Sequence, residues 1–115
     1  MKLINLTSNT IISENVIIAN TFFKRLKGLM FSKELRDENS LLILSCNAIH
    51  TFNMKYNIDV LYLDKNNNIL AIDEDMPPGK MGKLVKKAVS VVELPSGKAK
   101  KKGIEIGQVV EFVKN

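Results

Sequence analysis

The sequence predicts an α+β, mostly β chain: a compact, largely antiparallel, barrel-like or two-layer sheet of six to seven strands with two short helices. Three observations lead there. Short apolar runs rich in β-branched residues recur along the chain, separated by turn formers. Helical spacing of apolar or capped residues is confined to two brief stretches, near residues 21–27 and 96–102. The 115 residues, 45% hydrophobic and 25% charged, suit one domain over 1–115 with a core that needs no disulfide.

Residues 2–6 and 12–18 are aliphatic and β-branched, and Thr7-Ser8-Asn9-Thr10 between them is a cluster of turn formers, so the chain opens with a hairpin. Asn20 or Thr21 can cap a helix to about Lys27, in which Phe22, Phe23 and Leu26 share one face. Gly28 stops it. Residues 32–39 are too polar for core and read as a turn or a single helical turn. Leu41-Leu42-Ile43-Leu44 reads as a strand buried on both faces, central in the sheet. Two further apolar runs, residues 58–63 and 69–72, flank Asp64-Lys65-Asn66-Asn67-Asn68; asparagine tolerates left-handed backbone, so this is a hairpin. Residues 73–82 carry two prolines and two glycines and read as a long, movable loop. Residues 88–94 form another strand, Ser96 caps a lysine-rich helix ending at Gly103, and a last strand at residues 109–113 follows a turn at Gly107.

Charge is uneven. Residues 1–79 hold 8 basic and 9 acidic residues, residues 80–115 hold 9 and 3, so the net +5 is C-terminal. A basic face attracts nucleic acid or an acidic partner. No arginine or aromatic residue interleaves Lys80 to Lys102, however, and the forked phosphate contacts and stacking platforms of nucleic-acid sites are missing, which favours a solvated face. With Cys46 as the only cysteine, no internal disulfide or multi-thiolate zinc site can form, which fits a reducing, cytoplasmic setting. No signal peptide is read at the N-terminus, and no run approaches the roughly 20 apolar residues of a membrane span. No metal or cofactor is expected, because no ligand spacing, GxGxxG or Walker motif is present.

The candidate functional surface is residues 50–59. His50 is the only histidine and the only imidazole available for acid–base work; the blander alternative is a histidine packed beneath a loop. Alternation puts His50, Phe52 and Met54 on one side and Thr51 and Asn53 on the other. Asp59 lies between Ile58 and Val60, so if buried it needs hydrogen bonds or a cation, and Arg25, one of two arginines, is its natural partner. Cys46 reads as an inert thiol and Gly28-Leu29-Met30 as a helix stop with apolar plugs.

Taken together, Ala19-x-Thr21, Arg25-x-x-Gly28-Leu29-Met30, Ile49-His50-Thr51-x-x-Met54, Ile58-Asp59-Val60 and Val92-Glu93-Leu94-x-x-Gly97 ending in Gly107-Gln108-Val109 resemble the bacterial and archaeal family known as domain of unknown function 192, over about residues 16–112. The resemblance implies a mixed, mostly β domain and no assigned activity. It places Arg25, Gly28, Met30, Met54 and Asp59 at the family's characteristic positions. Two departures stand out: Phe52-Asn53-Met54 where the family often has an aromatic residue, Trp and Met, and Gly107-Gln108 where it has Gly-Asp.

The leading functional expectation is a binding module in which Arg25, His50, Thr51, Asn53, Met54 and Asp59 line a shallow pocket for a small polar ligand, with residues 73–82 as a movable rim. The alternatives are an enzyme using His50 as acid or base oriented by Asp59, an adaptor using the C-terminal lysines, or a purely structural domain.

Overall fold

The computed structural model describes residues 1–115. The element order is β1 (Lys2–Asn5), β2 (Thr10–Ser13), β3 (Asn15–Ala19), α1 (Phe22–Lys27), β4 (Asn39–Leu44), β5 (Ile58–Leu63), β6 (Ile69–Met76), β7 (Ser90–Pro95), α2 (Lys98–Lys101) and β8 (Val110–Val113). A three-stranded sheet of order β2-β1-β8 and a five-stranded sheet of order β3-β4-β7-β5-β6 make the two-layer form of the expected fold. All pairings are antiparallel except β3 with β4.

There are eight strands, one more than the upper expectation, because residues 12–18 divide at Glu14 and serve two sheets. The division is pinned by long-range bonds. Buried Ser13 donates to the Glu38 carbonyl at 3.1 Å and accepts from Ser40 Oγ at 2.8 Å. The chain therefore leaves the three-stranded sheet at the end of β2 and enters the five-stranded sheet as β3 beside β4, with α1 in the crossover that a parallel pair requires.

β4 lies inside the five-stranded sheet as expected, although β7 is the middle strand. Strand alternation then sorts two cores. Leu42, Leu61, Leu63, Val92 and Leu94 face the three-stranded sheet and meet Leu3, Ile12 and Val110. Leu41, Ile43, Val60, Tyr62 and Val91 face the opposite side, where loop residues Ile49 and Met54 cover them. Burial on both faces explains why these strands read as unbroken apolar runs. Each fully buried aliphatic side chain contributes about 1.5–3 kcal/mol.

Two expectations change and a third is completed. First, β6 continues through Asp73-Glu74-Asp75-Met76 instead of giving way to a loop. A bulge between Ile58 and Val60 allows it, with Asp75 at φ 52° and its amide donated to Asp59 Oδ1 at 2.8 Å. Residues 77–82 are tied rather than free: Thr51 Oγ1 donates to the Pro77 carbonyl at 2.6 Å and accepts the Lys80 amide at 2.8 Å, and the Gly82 amide reaches the Ile49 carbonyl at 2.7 Å. Second, α1 starts as expected, with Thr21 Oγ1 accepting the Lys24 amide at 3.2 Å, and the face shared by Phe22, Phe23 and Leu26 is open, these residues being 66%, 78% and 56% exposed. Third, Ser96 does not cap α2; its hydroxyl donates to Asp75 Oδ1 at 2.6 Å, and Gly97 takes the cap position. No helix is long and apolar enough to cross a membrane.

Gly82 passes so close to the sheet that an added Cβ would stand 2.9 Å from Tyr62 Oη and 3.0 Å from the Ile49 carbonyl oxygen. Gly82→Ala is expected to lower stability by about 1–3 kcal/mol in urea denaturation, the usual cost of overpacking. An unchanged midpoint would mean that residues 77–82 can move aside.

Candidate functional site

On the sheet face away from the three-stranded sheet, α1 and the segments after it and after β4 leave a pocket of about 300 Å³. Ile43 and Glu93 form its sheet side, Leu29, Met30, Ile49 and Met54 its walls, and Phe22 and Leu26 of α1 overhang it. Arg25, Lys27 and His50 bring polar groups to it. The lining is mostly apolar with a few polar groups, the usual composition of a small-molecule site.

Glu93 sits between Leu41 of β4 and Val60 of β5, both on the pocket face. It is 2% exposed, and its Oε1 has no hydrogen-bond partner. Burial pushes its carboxyl up to about 8. At neutral pH the group is therefore mainly an uncharged acid with a proton to donate. Gly28 closes over it: the backbone there has φ 50°, and an added Cβ would lie 3.3 Å from Oε1.

The neighbours are quiet by comparison. Cys46 donates its thiol proton to the Ala48 carbonyl at 3.0 Å, and burial raises its pKa, as expected of an inert thiol. His50 stacks on Phe52 at 5.1 Å, and its Nδ1 accepts the Phe52 amide at 3.1 Å. Arg25 donates from Nη1 to the Asn20 carbonyl at 3.4 Å and has no carboxylate within ion-pair distance. Its charge is available at the pocket.

Of the six residues expected at the site, Arg25, His50 and Met54 line this pocket. Thr51 instead anchors residues 77–80, and Asn53 occupies a left-handed turn at φ 62° whose carbonyl accepts the Phe31 amide at 3.0 Å. Asp59 is fully buried among other partners: Oδ1 accepts the Asp75 amide at 2.8 Å and Oδ2 the Ala99 amide at 2.9 Å. The expected Arg25–Asp59 pair does not form. The reason is the strand period. Ile58 and Val60 point to the pocket face, so Asp59 points to the other, toward α2. The same sheet lies between Asp59 and His50, which removes the expected acid–base pairing.

Glu93 is the residue that sequence reasoning missed. The available sign was a lone carboxylate inside Val91-Val92-Glu93-Leu94, a run apolar enough to be buried on both faces. No three His, Cys, Asp or Glu side chains gather in a metal-holding arrangement. In the C-terminal basic region Lys98 is buried and paired with Asp37 at 3.1 Å, and Lys83 is paired with Asp73 at 3.2 Å.

Residues 4–112 match the model of the family DUF192, described as "Uncharacterized ACR, COG1430". A "UPF0127 protein" of Thermococcus sibiricus (strain DSM 12597 / MM 739) is 32% identical over 118 residues, covering 96% of this chain and 73% of the relative. A protein of unknown function from Novosphingobium aromaticivorans DSM 12444 superposes with a TM-score of 0.83 at 21% identity, over 96% of this chain and 82% of that one. A protein from Sinorhizobium meliloti 1021, provisionally named a transcription regulator, gives 0.81 at 21% identity, over 96% and 89%. At that identity the two structures share the fold with this chain, and nothing about ligand or activity follows.

Proposed function

The chain belongs to the DUF192 family, and from the pocket it carries within that fold we propose that it is a binding module for a small ligand with an apolar body and a polar group that reaches Glu93. One observation carries this reading: a nearly buried carboxyl, on the sheet side of an open and mostly apolar pocket, has an oxygen with no partner. Such an atom is costly to leave unpaired, and a ligand atom in hydrogen-bond reach would offset that cost.

The position of α1 supports the same reading. None of its residues is buried, yet Phe22 and Leu26 line the pocket, so a bound apolar body would give them the cover they lack. At roughly 30 Å³ per water-sized group the space holds roughly ten heavy atoms. Acid–base catalysis has less behind it: the Cys46 thiol is held protonated, and Asp59 faces away from His50.

A thermal-shift panel of aliphatic acids, amines, alcohols, ketones, sugars and nucleosides tests the proposal. A ligand at about a hundredfold excess over its Kd stabilises by about 2.7 kcal/mol, which raises Tm by on the order of 10 °C for a chain of this size. Ala48 is an exposed pocket residue, so Ala48→Trp should fill the space and abolish that rise without harming the fold. A panel with no stabilising compound, or a rise that Ala48→Trp leaves intact, counts against the site.

A further inference from the structure

Building on the binding reading above, we infer that the ligand is a small anion, a carboxylate with an apolar chain and an uncharged oxygen acceptor, held by Arg25 at its charged end and by the Glu93 carboxylic acid at its acceptor. The charges decide the class. Arg25 and Lys27 line the pocket, neither is in an ion pair, and Glu93 is the only acidic side chain there. With Glu93 protonated the pocket is positive, which favours an anion and repels an amine. Ionising Glu93 to receive an ammonium group would create a buried ion pair whose desolvation cost offsets much of its attraction. A carbonyl or hydroxyl oxygen accepts the Glu93 proton at no such cost and satisfies the orphaned carboxyl.

The groups around Glu93 fit this assignment. Arg25 and Lys27 come from α1, Cys46 and His50 from the segment after β4, and Tyr56 and Tyr62 from the start and body of the β5 region. Burial raises the Cys46 thiol and both tyrosine hydroxyls, so none of the three adds negative charge near neutral pH. Glu93 itself is pushed up to about 8. Binding that depends on its proton should therefore weaken as pH rises past that value.

Four matched probes of about the right size separate the possibilities in isothermal titration: 5-oxohexanoate, hexanoate, 6-aminohexanoate and 2-heptanone. The first is expected to bind about tenfold more tightly than hexanoate or 2-heptanone, each of which lacks one hydrogen-bonded or ionic contact worth roughly that factor. The aminated acid should bind most weakly. Glu93→Gln keeps a neutral donor and should hold 5-oxohexanoate within about threefold, while Glu93→Leu loses about tenfold. Arg25→Gln should lose about tenfold on the acids and nothing on the ketone. Affinity of the unaltered protein should fall above pH 8 and that of Glu93→Gln should not, with His50→Asn separating any share of the histidine.

Tightest binding of 6-aminohexanoate, abolished by Glu93→Gln, would show an ionised Glu93 and overturn the ligand class while leaving a binding module. Equal binding of 5-oxohexanoate and hexanoate overturns the donor role, and equal binding of acid and ketone overturns the role of Arg25. If all four fail, the inference falls, and the wider thermal-shift panel then decides whether the binding reading falls with it.

Discussion

Replacing Asp59 with alanine is expected to remove about 3–5 kcal/mol of stability, a large share of the 5–15 kcal/mol that a chain of this kind has. The carboxylate is fully buried and takes two backbone amides from distant parts of the chain, Asp75 in the β6 bulge and Ala99 in the first turn of α2. A hydrogen bond to a charged group contributes about 1.5–3 kcal/mol, and removing the acceptor also strands two buried donors. At the helix a carboxylate beside free N–H groups gains further from the local dipole, and it replaces the side-chain cap that Gly97 cannot supply.

Asp59→Asn separates the hydrogen bonds from the cavity. The amide keeps the shape but has one acceptor oxygen, so its NH2 must face one of the two N–H groups, and the loss should approach that of alanine. Urea denaturation measures both variants, and hydrogen exchange at the Asp75 and Ala99 amides should accelerate first. A loss below about 1 kcal/mol for Asp59→Ala would mean that water replaces the carboxylate. Ligand affinity of folded Asp59→Asn should match that of the unaltered protein, since Asp59 lies on the sheet face opposite the pocket.

The contrast between Asp59 and Glu93 explains what the sequence could and could not tell. Both are lone carboxylates in strands whose neighbours are all apolar. Where a strand has one wet face, alternation reveals which way each side chain points; where both faces are buried, that signal vanishes. Only the partner strands decide, and β5 and β7 pair residues from 27 (Leu63 with Ser90) to 37 (Ile58 with Pro95) positions apart. The β5–β6 hairpin was legible because its loop carries its own chemistry: Asp64 accepts the Asn66 and Asn68 amides, and Asn67 takes φ 61°. The helix α1 was legible in its cap and stop but not in its role. Spacing shows that Phe22, Phe23 and Leu26 share a face, and says nothing about what lies opposite. The polar run Asp73-Glu74-Asp75 was misread for a related reason: β6 is an edge strand, where a partly solvated backbone tolerates charge.

Glu93 sets an unusual dependence of stability on pH. Its carboxyl titrates at about 8 in the folded protein, against 4.5 in the ordinary solvated state, so the unfolded chain releases this proton first as pH rises. The stability associated with the protonated group is fully present below 4.5, declines between 4.5 and about 8, and is gone above that. At about 1.4 kcal/mol per pH unit the total decline is about 5 kcal/mol. Unlike the usual carboxylate, Glu93 thus makes the protein weaker in mild alkali. Asp37, Asp64 and Asp75 act in the opposite direction, since hydrogen bonds, joined at Asp37 by Lys98 and Lys101 and at Asp64 by Lys65, hold them below 3.8, but their effect is confined to acid below the window of Glu93. Glu93→Gln keeps the size and removes the charge, so it should match the unaltered protein at pH 4.5 and exceed it by several kcal/mol at pH 8.5. Guanidinium denaturation at the two pH values reads this directly, and parallel pH profiles for the two proteins would mean that Glu93 is solvated in the folded state. A ligand that accepts the Glu93 proton should carry the unaltered protein's stability to higher pH, whereas one that needs the ionised form should lower the pH at which Glu93 titrates, so the same two measurements repeated with ligand distinguish a donor from a counter-ion.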